Sequence, residues 1–313
     1  MPILLLVGCG SGLVSALLFY SAARGAPLLG TFLLLLTPLP SLLAGLGCGW
    51  RVAAAGGLAG AAAMAIVAEP AFAAGYGLAL GVPATLAAYL TRATRGAHAR
   101  AGYPPGRLLA VMALYGGLLP VLILPLIGGS YEILAAPLEE FYRPLILAVP
   151  ELGLKPLTAA DIAALAALTI TLLPGAFSAY WLAIFTLNLY LAARILSASG
   201  RLGRDWPDLA SLRFPAGLSL ILALTFAAAF IPGLPAVAGT SLTGGLLFAY
   251  LLAGLALLHC VARGRSPWIL WLAYASLIVL EPYAVLLITV GGLLEAPLKL
   301  RRRLCAKAAR RRA

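Results

Sequence analysis

The chain has 313 residues, 63% of them hydrophobic and only 10% charged, with a mean hydropathy of +1.02 and a formal net charge of +12. A soluble domain carries about 25% charged residues because its surface faces water, so this composition excludes a soluble protein of the same size. The apolar residues arrive in blocks of roughly 17–22, enough to cross a hydrocarbon layer about 30 Å thick, and in lipid such blocks must be helices. The alternating strands of an outer-membrane barrel are absent from the pattern.

The blocks predict an all-α, polytopic transmembrane bundle of about 8–10 spans, a single domain over 1–298 followed by a basic tail over 299–313. In chain order the first spans are Pro2–Ala22, Pro27–Gly47, Val52–Ala68 and Pro70–Leu90. The first lacks a basic leader and an Ala-x-Ala cleavage site, so it reads as a retained span and not a removed signal. A basic loop with Arg92, Arg95, Arg100 and Arg107 precedes Leu108–Gly128. An acidic, proline-broken, partly helical segment then occupies the outer face over about 130–173. Within it Tyr131–Ile146 carries an apolar helical stripe suited to lying on a membrane surface.

Thr158-x-x-Asp161 has the form of a capping box that opens a helix. An unbroken helix from there to Ser197 would be about 60 Å long, twice the membrane. We therefore read one span at about Pro174–Ser197, preceded by a separate, non-spanning outer helix. Further spans follow at about Ala216–Ile231 and Pro235–Val261, then a hairpin of Trp268–Leu280 and Pro282–Leu298.

All but three of the 22 Lys and Arg residues fall on one side of this arrangement, the exceptions being Arg24, Arg143 and Lys155. The other side collects Glu69, Glu132, Glu139, Glu140, Glu151, Asp161 and Glu281. Cations mark the cytoplasmic side, so both termini are read as cytoplasmic and the protein as a multi-pass protein of a bacterial inner membrane. The same distribution assigns the positive charge to orientation and to anionic lipid, not to nucleic acid. Arg301, Arg302, Arg303, Arg310, Arg311 and Arg312 in the tail are the expected headgroup contacts.

Glycine forms four Gly-x-x-x-Gly pairs early in the chain: Gly8/Gly12, Gly45/Gly49, Gly56/Gly60 and Gly77/Gly81. Such pairs bring helix backbones close. They serve ordinary packing, or the face that recruits a membrane-protein partner. Two Glu-Pro turns, Glu69-Pro70 and Glu281-Pro282, end short spans on the acidic side. Each carboxylate is a candidate ligand or proton site if held below the surface, and a plain helix end otherwise. Asn188 is a polar residue in an apolar run, with Trp181 on its helical face and Tyr180 nearby. It reads either as part of an aromatic-lined ligand wall or as a hydrogen-bond tie to a neighbouring helix.

No Ser/His/Asp set, His-Glu-x-x-His or Walker sequence is present, so the reading is non-enzymatic, with no cofactor and no metal. The four cysteines, Cys9, Cys48, Cys260 and Cys305, are scattered and read as neither a disulfide framework nor a zinc site.

Several phrases carry a resemblance: Leu36-Thr37-Pro38-Leu39-Pro40 with Ala44-Gly45-Leu46-Gly47, Tyr103-Pro104-Pro105-Gly106-Arg107-Leu108, Leu187-Asn188-Leu189-Tyr190 running to Arg194, and Arg204-Asp205-Trp206-Pro207-Asp208-Leu209. On these the chain resembles the YybS-like family of predicted bacterial membrane proteins, in its alphaproteobacterial branch. That family is distantly similar, at the level of fold, to the substrate-binding membrane subunits of energy-coupling-factor transporters and to small envelope-assembly proteins. This chain has more than the usual six spans of those subunits. The family carries no established activity; our reading is a transporter-like protein that binds a small or amphipathic ligand within the bundle, with a membrane scaffold or assembly factor as the alternative.

Overall fold

The computed structural model describes residues 2–92, 103–146, 157–201, 212–215, 217–262, 268–298 and 300. Among them every regular element is a helix. Seven helices are long and apolar enough to cross a membrane: Pro2–Arg24, Leu28–Cys48, Trp50–Val67, Pro70–Thr91, Pro105–Ile127, Ala159–Ala198 and Leu234–Ala262. Three shorter apolar helices complete the bundle. The packing is inside-out relative to a soluble protein. Ile3, Leu28, Leu58, Ile66, Phe230 and Ile278 are largely exposed, while much of the interior is alanine, glycine and serine. Lipid solvates leucine as well as a protein core does, so only close backbone approach and polar ties favour helix association.

The N-terminal group shows both effects. Helix α1 (Pro2–Arg24) is followed by α2 (Pro27–Leu36) and α3 (Leu39–Cys48), which are broken at Thr37-Pro38 because proline lacks the N–H that would continue the ladder. Ser15 of α1 donates to the Thr37 carbonyl at 2.8 Å and lies 3.0 Å from the Ser41 hydroxyl, so polar groups at the break find partners. Gly49, with φ 113°, turns the chain into α4 (Trp50–Val67). Helices α1 and α4 run in the same direction with backbones touching. A Cβ on Gly8 would lie 3.0 Å from Val52 Cγ1, and one on Gly12 2.7 Å from Gly56 Cα. Helix α5 (Pro70–Tyr76) passes through a π-helical segment, Gly77–Gly81, into α6 (Val82–Arg92). Gly81 packs on Gly57, Gly45 on Ala53 and Ala88, and Tyr76 against Gly60 while its hydroxyl donates to the Gly12 carbonyl at 3.0 Å. Gly77 has open space beside it.

The second group is built on α7 (Pro105–Ile123), which ends in 3-10 turns at Leu124–Ile127 and Tyr131–Leu134 before α8 (Ala135–Tyr142). The expectation of a separate outer helix before Pro174 is corrected here. Helix α9 (Ala159–Ala198) is one continuous helix of 40 residues, about 60 Å long, with Pro174 inside it. Breaking it in an apolar setting would free several backbone groups, whereas keeping it sacrifices only the hydrogen bond that proline cannot make. The Thr158–Asp161 capping box starts it, and its acidic-side end is braced by α8, Tyr142 meeting Thr169 at 2.9 Å.

The span expected at about Ala216–Ile231 is α10 (Leu218–Ala228), only 11 residues and about 16 Å, too short to cross alone. It lies along α11 (Leu234–Ala262), where Gly239 admits the backbone of residues 225–229. The terminal hairpin is α12 (Trp268–Val279) and α13 (Tyr283–Leu298). Gly254 on α11 receives the Ile288 backbone, and Gly292 on α13 that of Tyr250, so α13 is bound tightly. Helix α12 stands at the edge, with Trp268, Trp271, Leu272, Ile278 and Val279 all more than two-thirds exposed.

One further expectation changes. Cys9 and Cys48 are free thiols, but Cys260 is disulfide-bonded. Sequence spacing does not report which cysteines a helical bundle brings together. Cys305 and the tail arginines Arg301, Arg302, Arg303, Arg310, Arg311 and Arg312 lie outside the described residues, as do Arg95, Arg100, Arg204, Arg263 and Arg265 of the basic loops.

Candidate ligand cavity on the basic side

Helices α7, α9 and α11 form the central trio, with α7 running opposite to the parallel pair α9 and α11, and their ends define two faces. The basic face holds Arg107 at the start of α7 and Arg194 near the end of α9, and the acidic face holds Glu132 and Asp161. Towards the basic face α12 stands on the fourth side of the trio. A cavity of about 480 Å³ lies between them. Its floor is buried and apolar, made by Leu108, Leu109, Met112, Phe185, Leu189 and Ala256. Its rim is partly exposed and more polar, with Thr186, Tyr190 and His259 joined by Tyr274 from α12.

The histidine explains the rim. His259 Nδ1 lies 2.9 Å from the Leu255 carbonyl, an acceptor, so that nitrogen carries the proton. Nε2 is then the acceptor and faces the Tyr274 hydroxyl at a long 3.4 Å, the rings meeting edge to face at 5.9 Å. A phenol held this loosely is free to turn to a better acceptor. The cavity therefore offers an apolar slot with a donor at one end, close to the basic face. Among the described residues no group of three or more metal-ligating side chains occurs.

The residues proposed from sequence are not brought together. Asn188 is wholly buried on another face of α9, donating to the Leu35 carbonyl at 2.6 Å and to its own Ile184 carbonyl at 2.8 Å. Trp181 is stacked on Phe185, with ring centres 5.0 Å apart, and its indole donates to the Ala79 carbonyl at 2.8 Å. Tyr115 of α7 donates to the adjacent Leu78 carbonyl at 2.6 Å. Thus the π-helical segment presents carbonyls to two aromatic donors, which tie the N-terminal group to the trio. Tyr180 is about half exposed, and Glu69 and Glu281 are exposed at turns of the acidic face.

His259, Tyr274 and Thr186 were missed. The available signal was a histidine near the end of an apolar helix, followed across a short basic loop by Trp268, Trp271 and Tyr274. Pairing them needed the angle of the α11–α12 hairpin, which no local pattern encodes.

Residues 13–294 match the family described as "Predicted membrane protein (DUF2232)". The chain belongs to this family. The match runs from within α1 to within α13 and takes in every helix that lines the cavity. With its run of apolar helices the chain is a multi-pass membrane protein, and the family's description states no activity. No curated protein matches the chain, and no solved structure does.

Proposed function

We propose that this member of the family is a transporter-like protein that binds an anionic, single-chain amphiphile in the cavity on its basic side, and that the membrane is the bacterial inner membrane with that side in the cytoplasm. The observation that carries the reading is the pairing of an apolar slot with the His259–Tyr274 end. A volume of about 480 Å³ falls in the lower part of the roughly 300–1,000 Å³ range of small-molecule sites, which suits one acyl chain better than two. Arg107 and Arg194 at the same face favour an anionic headgroup. The clustering of Lys and Arg on this face supports its cytoplasmic placement.

The alternative is a scaffold recruiting partners through its glycine faces. Gly8, Gly12, Gly56 and Gly60 are already covered by this chain's own helices, which favours the ligand reading.

The test is binding of a fluorescent (NBD-labelled) lysophosphatidylglycerol to the purified protein in detergent. Saturable binding is expected above that to empty micelles. It should fall at least tenfold in Thr186→Trp, which narrows the partly exposed rim without touching the buried floor. Absence of saturable binding, or equal binding by Thr186→Trp, refutes the proposal.

A further inference from the structure

The same three helices enclose a second cavity, of about 490 Å³, at the acidic face. It is lined by Tyr131, Thr171, Pro174, Leu234 and Thr240, with Glu132 exposed at its rim. The Tyr131 hydroxyl donates to the Pro120 carbonyl at 2.8 Å, and burial pushes that phenol above its ordinary pKa, so it stays a neutral donor. The spacing between the two cavities is nearly the same on each helix. Twelve residues separate Met112 from Leu124 on α7 and its 3-10 extension, eleven separate Pro174 from Phe185 on α9, and twelve separate Thr240 from Leu252 on α11. Each interval is about 16–18 Å of helix, so the cavities face each other across one septum.

The septum is unlike its surroundings. Towards its acidic end the Ser178 and Ser241 hydroxyls meet at 3.0 Å, both wholly buried, and Ser241 also donates to the Gly117 carbonyl. Around them several contacts are backbone on backbone, beside the Trp181 ring on Gly116 and the Leu242 side chain on Gly117. A Cβ on Gly175 would lie 2.8 Å from the Thr240 carbonyl oxygen, and one on Gly245 2.9 Å from that of Ala113. Glycine and serine let the helices approach closely along this seam, while Leu119, Trp181, Leu182 and Leu246 pack beside it. Pro120 and Pro174 each remove a backbone donor from α7 and α9 at the acidic end of the septum, giving both helices a place to bend.

We infer that the two cavities are the ends of one route across the membrane for an anionic single-chain amphiphile, and that the Ser178–Ser241 contact is its closed gate. This rests on the binding reading above and extends it from holding the ligand to moving it between leaflets. No energy source is required, because the route equilibrates the ligand down its own gradient. Glu132 sits at an exposed rim, where water and salt screen it from the passing anion.

The experiment reconstitutes the full chain in liposomes holding NBD-labelled lysophosphatidylglycerol and adds dithionite outside. Wild type is expected to expose inner-leaflet probe at least tenfold faster than protein-free liposomes. A variant with Ser178→Cys and Ser241→Cys, in a background whose four native cysteines are serine, is expected to lose that rate on oxidation and regain it on reduction. Thr240→Trp, which fills the acidic-side cavity, is expected to slow transfer at least tenfold while binding in detergent stays within threefold of wild type. Binding without transfer by wild type overturns the route and leaves the binding reading intact. Unchanged transfer by Thr240→Trp, or by the oxidised cysteine pair, overturns it equally. Absence of binding in detergent refutes the binding reading itself.

Discussion

The Asn188 side chain donates to the Leu35 carbonyl at 2.6 Å and so ties α9 to α2 across 153 positions of sequence. Its second amide hydrogen goes to Ile184 at 2.8 Å, which fixes the amide and leaves no donor for a ligand. Its Oδ1 is buried without a partner among the described residues, so the amide is only partly satisfied. A hydrogen bond between membrane helices contributes about 0.6 kcal/mol on average and up to about 1.7. Asn188→Leu, similar in shape, is therefore expected to lower the melting temperature in detergent by a few degrees and to leave lysophosphatidylglycerol binding within twofold. Lost binding at an unchanged melting temperature would put the amide on the ligand after all.

Gly10 and Gly12 share the phrase Gly8-Cys9-Gly10-Ser11-Gly12 but differ in surroundings. A Cβ on Gly12 would press into the Gly56 backbone, whereas one on Gly10 meets nothing within 4 Å. Gly12→Leu should force α1 off α4, costing about 3 kcal/mol or more by overpacking. Gly10→Leu should change stability by less than about 0.5 kcal/mol, as an exposed substitution does. Thermal unfolding of the two variants side by side checks this. Equal melting temperatures would mean that α1 and α4 do not pack as described.

How much of this could be read beforehand depends on the range of the interaction. The helices were legible because a run of apolar residues in lipid has one way to satisfy its backbone, and the Thr158–Asp161 box because both partners lie within one turn. Gly8, Gly12 and Gly56 stood out as small residues at helical spacing, but their partners are set by helix order. Pro174 misled because proline's local cost was weighed without the larger cost of opening a helix in an apolar setting. Asn188 and Trp181 drew attention for being polar or aromatic in an apolar run. The geometry spends both on carbonyls that a broken or π-helical neighbour leaves available, Leu35 near the end of α2 and Ala79 in the π segment. The cavity itself was not legible, since its lining comes from four helices far apart in sequence.

Glu69 and Glu281 occupy corresponding exposed turns of the acidic face. Neither reaches the cavities, so Glu69→Gln and Glu281→Gln are each expected to leave binding and leaflet transfer within twofold. The same positions report topology. In a cysteine-free chain, Glu69→Cys and Glu281→Cys should react with a membrane-impermeant maleimide in intact cells, and Arg107→Cys only after permeabilisation. The reverse pattern would turn the protein over and move the His259–Tyr274 end to the outside.

Tyr274 supplies the sharpest test of headgroup recognition, because its hydroxyl is loosely held and its ring already packs on His259. Tyr274→Phe removes the donor and keeps the ring. A hydrogen bond to a charged group is worth about 1.5–3 kcal/mol, against about 0.5–1.5 for a neutral one. Binding of lysophosphatidylglycerol should therefore weaken by roughly tenfold or more in Tyr274→Phe. A monoacylglycerol with the same chain and no charge should weaken by only a few fold. The difference between the two ligands isolates the headgroup, since loss of packing would affect both alike. Equal losses would mean that Tyr274 only shapes the slot, and that the ligand's charge is read elsewhere on the basic face.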